Sequence, residues 1–182
     1  MSQLSSIQTM TQQIAEAISS VLEMEVTIVD KNMVRMAGTG YYRESIGERI
    51  VLTNSLYHQV LEQGSEYVIT DVRTSDACEA CERHATCMEL AHLCCPIILG
   101  KEVVGVIGLI AFSQEKQNEL IEKRGQLLPF IRKMAELIAA KAVEKDALNR
   151  MVLLKNQMET VLNFVAEGII AVDHLARIIN VN

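Results

Sequence analysis

The apolar run at 103–112, Val-Val-Gly-Val-Ile-Gly-Leu-Ile-Ala-Phe, constrains the fold more than any other stretch of this 182-residue chain. It is far too short to cross a bilayer, where a helix needs about 20 apolar residues. Its β-branched content makes it a strand. With no polar position on either face, that strand must be covered on both sides. Residues 95–99 precede it, and Gly100-Lys101-Glu102 between the two runs predicts an antiparallel hairpin. Gly105 and Gly108 inside the strand mark close backbone approach or a bulge. A helical layer accounts for one face, and the other is open to a ligand, a lid or a partner.

The flanking segments supply that layer. Residues 4–22 place Ile7, Met10, Ile14, Ala17, Ile18 and Val21 on one face of an amphipathic helix. Residues 26–30 and 33–37 read as a hairpin about Lys31-Asn32, followed by Gly38-Thr39-Gly40 and then Tyr41, Tyr42 and Arg43. An aromatic pair beside an arginine suits the mouth of a ligand pocket, and equally a half-exposed loop. A helix at 54–63 and a strand at 67–71 come next. Beyond the hairpin, Ser113 caps a helix from Gln114, on which Glu119 and Lys123 are spaced for a favourable pair. Gly125 and Pro129 predict a kink or a fresh start near Leu127. An apolar stripe then runs through Leu127, Ile131, Met134, Ile138 and Ala142 to Leu148, Val152, Val161 and Leu162. A seam that long predicts a connector helix that pairs with a second copy, giving a homodimer. Gly168 is the expected stop, and strands at 169–173 and 177–181 open a sheet that two strands alone cannot stabilise. The chain therefore reads as a fragment cut inside a second domain.

All five cysteines, Cys78, Cys81, Cys87, Cys94 and Cys95, lie in the loop at 73–95 or at its end. The net charge of −6 and the lack of a basic cluster argue against nucleic-acid binding by this segment. A polar start without basic residues, and no membrane-length run, predict a cytoplasmic protein. Thiols stay reduced there, so clustered cysteines point to metal or redox chemistry. Cys78 and Cys81 form a local chelate, and Cys87 joins from the same loop. Cys94 and Cys95 are adjacent on a strand and face opposite ways. Cys95 is the preferred fourth ligand because Pro96 fixes the backbone after it, with Cys94 as the alternative. The spacing favours an iron–sulfur cluster over zinc, which usually closes its site with a second close pair of ligands. His84 and His92 can replace a cysteine, although each reads as an exposed loop residue. The carboxylates Asp76, Glu79, Glu82 and Glu89 disfavour free thiolates, a difficulty that a bound cation removes. No Ser/His/Asp set, nucleophile elbow, phosphate loop or dinucleotide fingerprint is present, so the chain is expected not to be an enzyme. A thiol-redox enzyme using Cys78 and Cys81 is the remaining catalytic reading.

Residues 5–148 resemble a GAF domain. The resemblance is carried by Cys95-Pro96-Ile97-Ile98 with Gly105-Val106-Ile107-Gly108-Leu109, and by Thr70-Asp71-Val72-Arg73 ahead of the loop. From Leu154, the segment Val161-Leu162-Asn163-Phe164-Val165-Ala166-Glu167-Gly168-Ile169-Ile170-Ala171-Val172-Asp173 is similar to the opening of a PAS domain. Arg177-Ile178-Ile179-Asn180-Val181-Asn182 is similar to its second strand. The combination resembles the sensory half of bacterial sigma-54-dependent transcriptional regulators. It implies an α+β fold with a GAF-like antiparallel sheet flanked by helices. A sensor domain at 1–147 would be followed by a connector helix and the beginning of a PAS domain at 148–182. Together with the cysteine spacing, it predicts a non-enzymatic sensor relaying the state of a redox- or oxygen-responsive cluster through a dimerising helix. The alternative is a GAF pocket for a small metabolite beside a structural zinc.

Overall fold

The computed structural model describes residues 2–164 and 170–181. The chain opens with a 3-10 turn and helix α1 (Gln8–Leu22), then strands β1 (Glu25–Asp30) and β2 (Arg35–Gly38). A 3-10 turn at Gly40–Ser45 leads to α2 (Leu56–Gln63) and β3 (Tyr67–Ile69). The cysteine loop holds only the single-turn α3 (Asp76–Glu79) and a 3-10 turn at His84–Thr86. Strands β4 (Ala91–Leu99) and β5 (Glu102–Ala111) and helix α4 (Gln114–Phe164) follow, then β6 (Ile170–Val172) and β7 (Ile178–Val181). The α+β expectation holds: the main sheet is antiparallel in the order β2-β1-β5-β4-β3.

The 103–112 run becomes β5, the central strand, covered on both faces as its composition requires. Ile107, Leu109 and Ala111 join Leu93, Cys95 and Ile97 of β4, Val26 and Ile28 of β1, and the helices in one core. Val106, Cys94 and Val29 face the other way, onto Leu56, Tyr57 and Val60 of α2. The glycines have the expected close neighbours. A Cβ on Gly105 would stand 2.6 Å from the Val29 carbonyl oxygen, and one on Gly108 would stand 2.7 Å from His92 Nε2.

Three expectations are corrected. Strand β4 begins at Ala91, so His92 is a buried strand residue, 2% exposed, and not part of an exposed loop. Strand β3 ends at Ile69, two residues short of the expected 67–71. Helix α4 runs through Gly125 and Pro129 without a restart. An internal proline costs about 3 kcal/mol. Leu120, Leu127, Ile131 and Ile138 are all buried along this helix, and each such side chain contributes about 1.5–3 kcal/mol. The apolar face outweighs the break. The start of α4 is as expected: the Lys116 amide donates to Ser113 Oγ at 3.2 Å, and Lys123 reaches Glu119 at 2.7 Å.

The chain forms two compact units, Met1–Val143 and Glu144–Asn182. In the second, Leu148, Met151, Val152, Leu154, Met158 and Val161 of α4 are exposed, and β6 pairs antiparallel with β7. The expected helix stop at Gly168 lies outside the described residues. Among the described residues no helix is long and apolar enough to cross a membrane.

Candidate functional site

The sheet face away from α1 and α4 carries a cavity of about 410 Å³, within the range of roughly 300–1,000 Å³ usual for small-molecule sites. Its floor is the sheet, through Arg35 of β2 and His92 of β4, and one wall is α2, through Leu56 and Tyr57. Tyr41 and Tyr42 close one side, and Cys78, Cys81, His84, Cys87 and Glu89 from the cysteine loop close the other. Aromatic residues are scarce in this sequence, yet three of the four tyrosines and one of the three phenylalanines line this single cavity.

A chain of polar contacts crosses the floor. The Tyr42 hydroxyl donates to Glu89 Oε1, and His92 Nδ1 lies 3.0 Å from Glu89 Oε2. On the far side of the ring, His92 Nε2 is 3.3 Å from Cys94 Sγ. The imidazole reaches Cys94 across the space that Gly108 leaves empty, because Gly108 is the register partner of Cys94 on β5. Burial opposes a charge on His92, but the Cys94 sulfur and the Glu89 carboxylate outweigh it and push the ring up to about 10. Burial would likewise raise Glu89, yet His92, the Tyr42 hydroxyl and Arg35 together hold its carboxyl below the usual range. The imidazolium and the carboxylate therefore form a buried ion pair at neutral pH.

Arg35 is 6% exposed and caps the Tyr42 ring, with its guanidinium carbon 4.1 Å from the ring centroid. One of its terminal nitrogens donates to the Thr27 hydroxyl. Tyr57 packs edge-on to His92 with centroids 5.4 Å apart, and burial pushes its hydroxyl well up, so it stays protonated.

The structure brings some of the expected site residues together and separates others. Tyr41 and Tyr42 line the cavity. Arg43 does not, since it turns outward to pair with Glu16 of α1 at 2.8 Å. Cys78, Cys81 and Cys87 share the cavity rim, and Cys94 packs in the same apolar cluster as Cys78. Cys95 faces the opposite side of the sheet, among the α1 and α4 core residues and beside Glu66. Strand alternation thus sends Cys94, the alternative fourth ligand, and not the preferred Cys95, to the face of the loop. Burial pushes the Cys78 thiol up to about 11 and raises Cys87 as well, with Glu89 adding to both. Among the described residues no three His, Cys, Asp or Glu side chains converge as ligands of one ion. As placed, the four expected cysteines do not fit one centre.

Sequence reasoning missed Arg35 and Tyr57, and it named Glu89 and His92 only as a loop carboxylate and an exposed loop histidine. An arginine within an otherwise apolar strand, Met33-Val34-Arg35-Met36-Ala37, was the available signal for the first.

The sequence profile of one family, the GAF domain, matches residues 5–128. The chain belongs to the GAF domain family. This GAF domain is 33% identical over 179 residues to UacR of Escherichia coli (strain K12), whose name assigns it to uric acid and to sigma-54-dependent transcriptional regulation. That match covers 98% of the chain and 30% of the relative. The fold is also similar to the GAF domain of a phosphoenolpyruvate-protein phosphotransferase from Coxiella burnetii. There the TM-score is 0.57 at 16% identity, over 82% of this chain and 98% of that one. A type II free methionine-R-sulfoxide reductase from Thermoplasma acidophilum gives a TM-score of 0.54 at 16% identity, over 78% and 96%.

Proposed function

We propose that this GAF domain is the signal-sensing part of a sigma-54-dependent transcriptional regulator in the cytoplasm, and that it acts by binding, not by catalysis. The signal is a small molecule held in the cavity under the cysteine loop. The observation that carries this reading is the cavity itself. It combines a buried polar floor with aromatic walls, the composition expected of a site for a small polar ring. The UacR match supports the regulatory setting, and its name points to an oxopurine of the uric acid type.

Ligand contacts from the loop and from β4 would bias the sheet, and β5 leads straight into α4. The exposed apolar positions Leu148, Met151, Val152 and Leu154 on α4 suit pairing with a second copy. The β6–β7 hairpin would open a PAS domain. A second reading keeps a metal or iron–sulfur cluster, because Cys78, Cys81 and Cys87 stand at one rim. It requires the loop to move so that Cys94 or another ligand completes the set.

One preparation tests both readings. The protein is purified without oxygen, its iron, sulfide and zinc are measured, and it is titrated with uric acid while its melting temperature is followed. The expected result is a metal-poor protein whose melting temperature climbs with ligand concentration, as binding to the folded state alone requires. Stoichiometric iron and sulfide with no response to uric acid or other oxopurines would overturn the pocket reading in favour of the cluster.

A further inference from the structure

Two donors at the cavity floor are left without a partner. Among the described residues neither Arg35 Nε nor the Tyr57 hydroxyl has a partner in hydrogen-bond geometry, although both atoms are buried and the Arg35 guanidinium stands beside the Tyr57 hydroxyl. Both side chains are 6% exposed and both line the cavity. Leaving such donors unmade is costly, and a buried arginine without a counter-ion is costlier. No carboxylate of the described residues lies within ion-pair distance of Arg35. Glu89 is close enough to feel its charge, but both Glu89 oxygens are already engaged, one by Tyr42 and the other by His92. Other polar groups of the pocket have partners within the protein: His84 Nε2 lies 3.0 Å from the Val72 carbonyl oxygen, and Ser55 Oγ lies 3.0 Å from His58 Nδ1. What the floor lacks is acceptors and a negative charge.

We propose that Arg35 Nε–H and Tyr57 O–H form the recognition edge of the pocket, donating to adjacent oxygen acceptors of a flat, anionic oxo-heterocycle. The inference rests on the sensor reading above and names the chemistry that the site selects. Amino-substituted or cationic rings are rejected, because they would set a donor or a positive charge against Arg35 and Tyr57. The Tyr42 and Phe112 rings, with centroids 5.8 Å apart, supply the apolar walls that a flat ring needs. Arg83 at the rim adds a second positive charge on the approach.

Tyr57→Phe is the discriminating variant, because it removes one unpartnered oxygen and leaves the ring in place. Titration calorimetry with urate as the probe, with adenine as the amino-purine control, is run on the wild type, Tyr57→Phe and Arg35→Lys. Wild type is expected to bind urate and not adenine. Tyr57→Phe should weaken urate by about tenfold, the effect of one lost hydrogen bond, while its ligand-free melting temperature stays the same or rises. Arg35→Lys keeps a charge but loses the planar Nε–H, and should weaken urate at least as much. Adenine binding as tightly as urate overturns the ligand class. Urate binding unchanged in Tyr57→Phe overturns the recognition edge and leaves the sensor reading intact. A fall in the ligand-free melting temperature of Tyr57→Phe means the hydroxyl has a structural partner, and also overturns the edge. A wild type that binds neither purine overturns the oxopurine signal together with this edge.

Discussion

The two faces of the central sheet are built from the same strands and serve different ends. Towards α1 and α4, strands β1, β4 and β5 present Val26, Ile28, Leu93, Ile97, Ile107 and Leu109, all fully buried and all apolar. Towards the loop the same strands present Thr27, His92, Cys94 and Gly108, with Arg35 beside them on β2. The first face stores stability. The second gives some of it up, by burying an arginine Nε and a tyrosine hydroxyl that have no hydrogen-bond partner among the described residues. Residues one position apart on β4 belong to different economies of the molecule: Cys95 packs against the helices and Cys94 against His92. Real folds break the rule of full satisfaction chiefly where they bind something.

The sharpest way to break this contrast is on the helix face. Ile131 of α4 is fully buried in the main core. Ile131→Ala is expected to lower unfolding stability by about 2–5 kcal/mol, from lost transfer energy plus a cavity. Urea denaturation measures it. Ligand affinity of the folded fraction should not change, and a loss of affinity matching the loss of stability would dissolve the division between the faces.

On the pocket face, Glu89→Gln removes the charge that holds His92. The expected cost is about 1.5–3 kcal/mol, the range for hydrogen bonds to charged groups, and its signature is the dependence on pH. His92 is pushed up from 6.5 to about 10. Its contribution is therefore complete below about 6.5 and drains away as pH rises towards about 10. Glu89 is held below 4.5, so its contribution is present above that value and is lost as acid protonates it. Wild-type stability should thus fall as pH is raised from 6.5 towards the alkaline range, and the fall should be shallower in Glu89→Gln. Equal slopes in the two proteins would remove the ion pair from the account.

Much of the helix face was legible in the sequence, because it depends on periodicity. The 103–112 run declared a strand covered twice, the stripe from Leu127 to Ala142 declared its cover, and the hairpin about Gly100 set the topology. Less of the pocket was legible, because it depends on which residues meet across the sheet. Arg35, Tyr57 and the Glu89–His92 pair sit on three separate segments, and no spacing links the three. Crowding made the cysteines conspicuous, yet crowding in sequence did not place Cys95 with Cys78. At Pro129 local backbone chemistry predicts a kink or a fresh start, and no fresh start forms because tertiary packing of the flanking leucines and isoleucines carries the helix through.

The smallest expected effect separates two arginines, of which the sequence singled out only one. Arg43 was picked out because it follows a tyrosine pair, while Arg35 was hidden in a strand. Arg43 is paired with Glu16 at the surface, the two side chains being 67% and 43% exposed. Exposed pairs of this kind contribute about 0.2–1 kcal/mol at most. Arg43→Ala should therefore shift the urea midpoint barely at all and leave urate binding where it was, whereas Arg35→Lys, which even keeps the charge, should weaken binding. The reverse order, with Arg43→Ala abolishing binding and Arg35→Lys tolerated, would move the recognition edge from the floor of the cavity to its outer turn. It would also mean that Arg43 leaves Glu16 and swings inward when the ligand arrives.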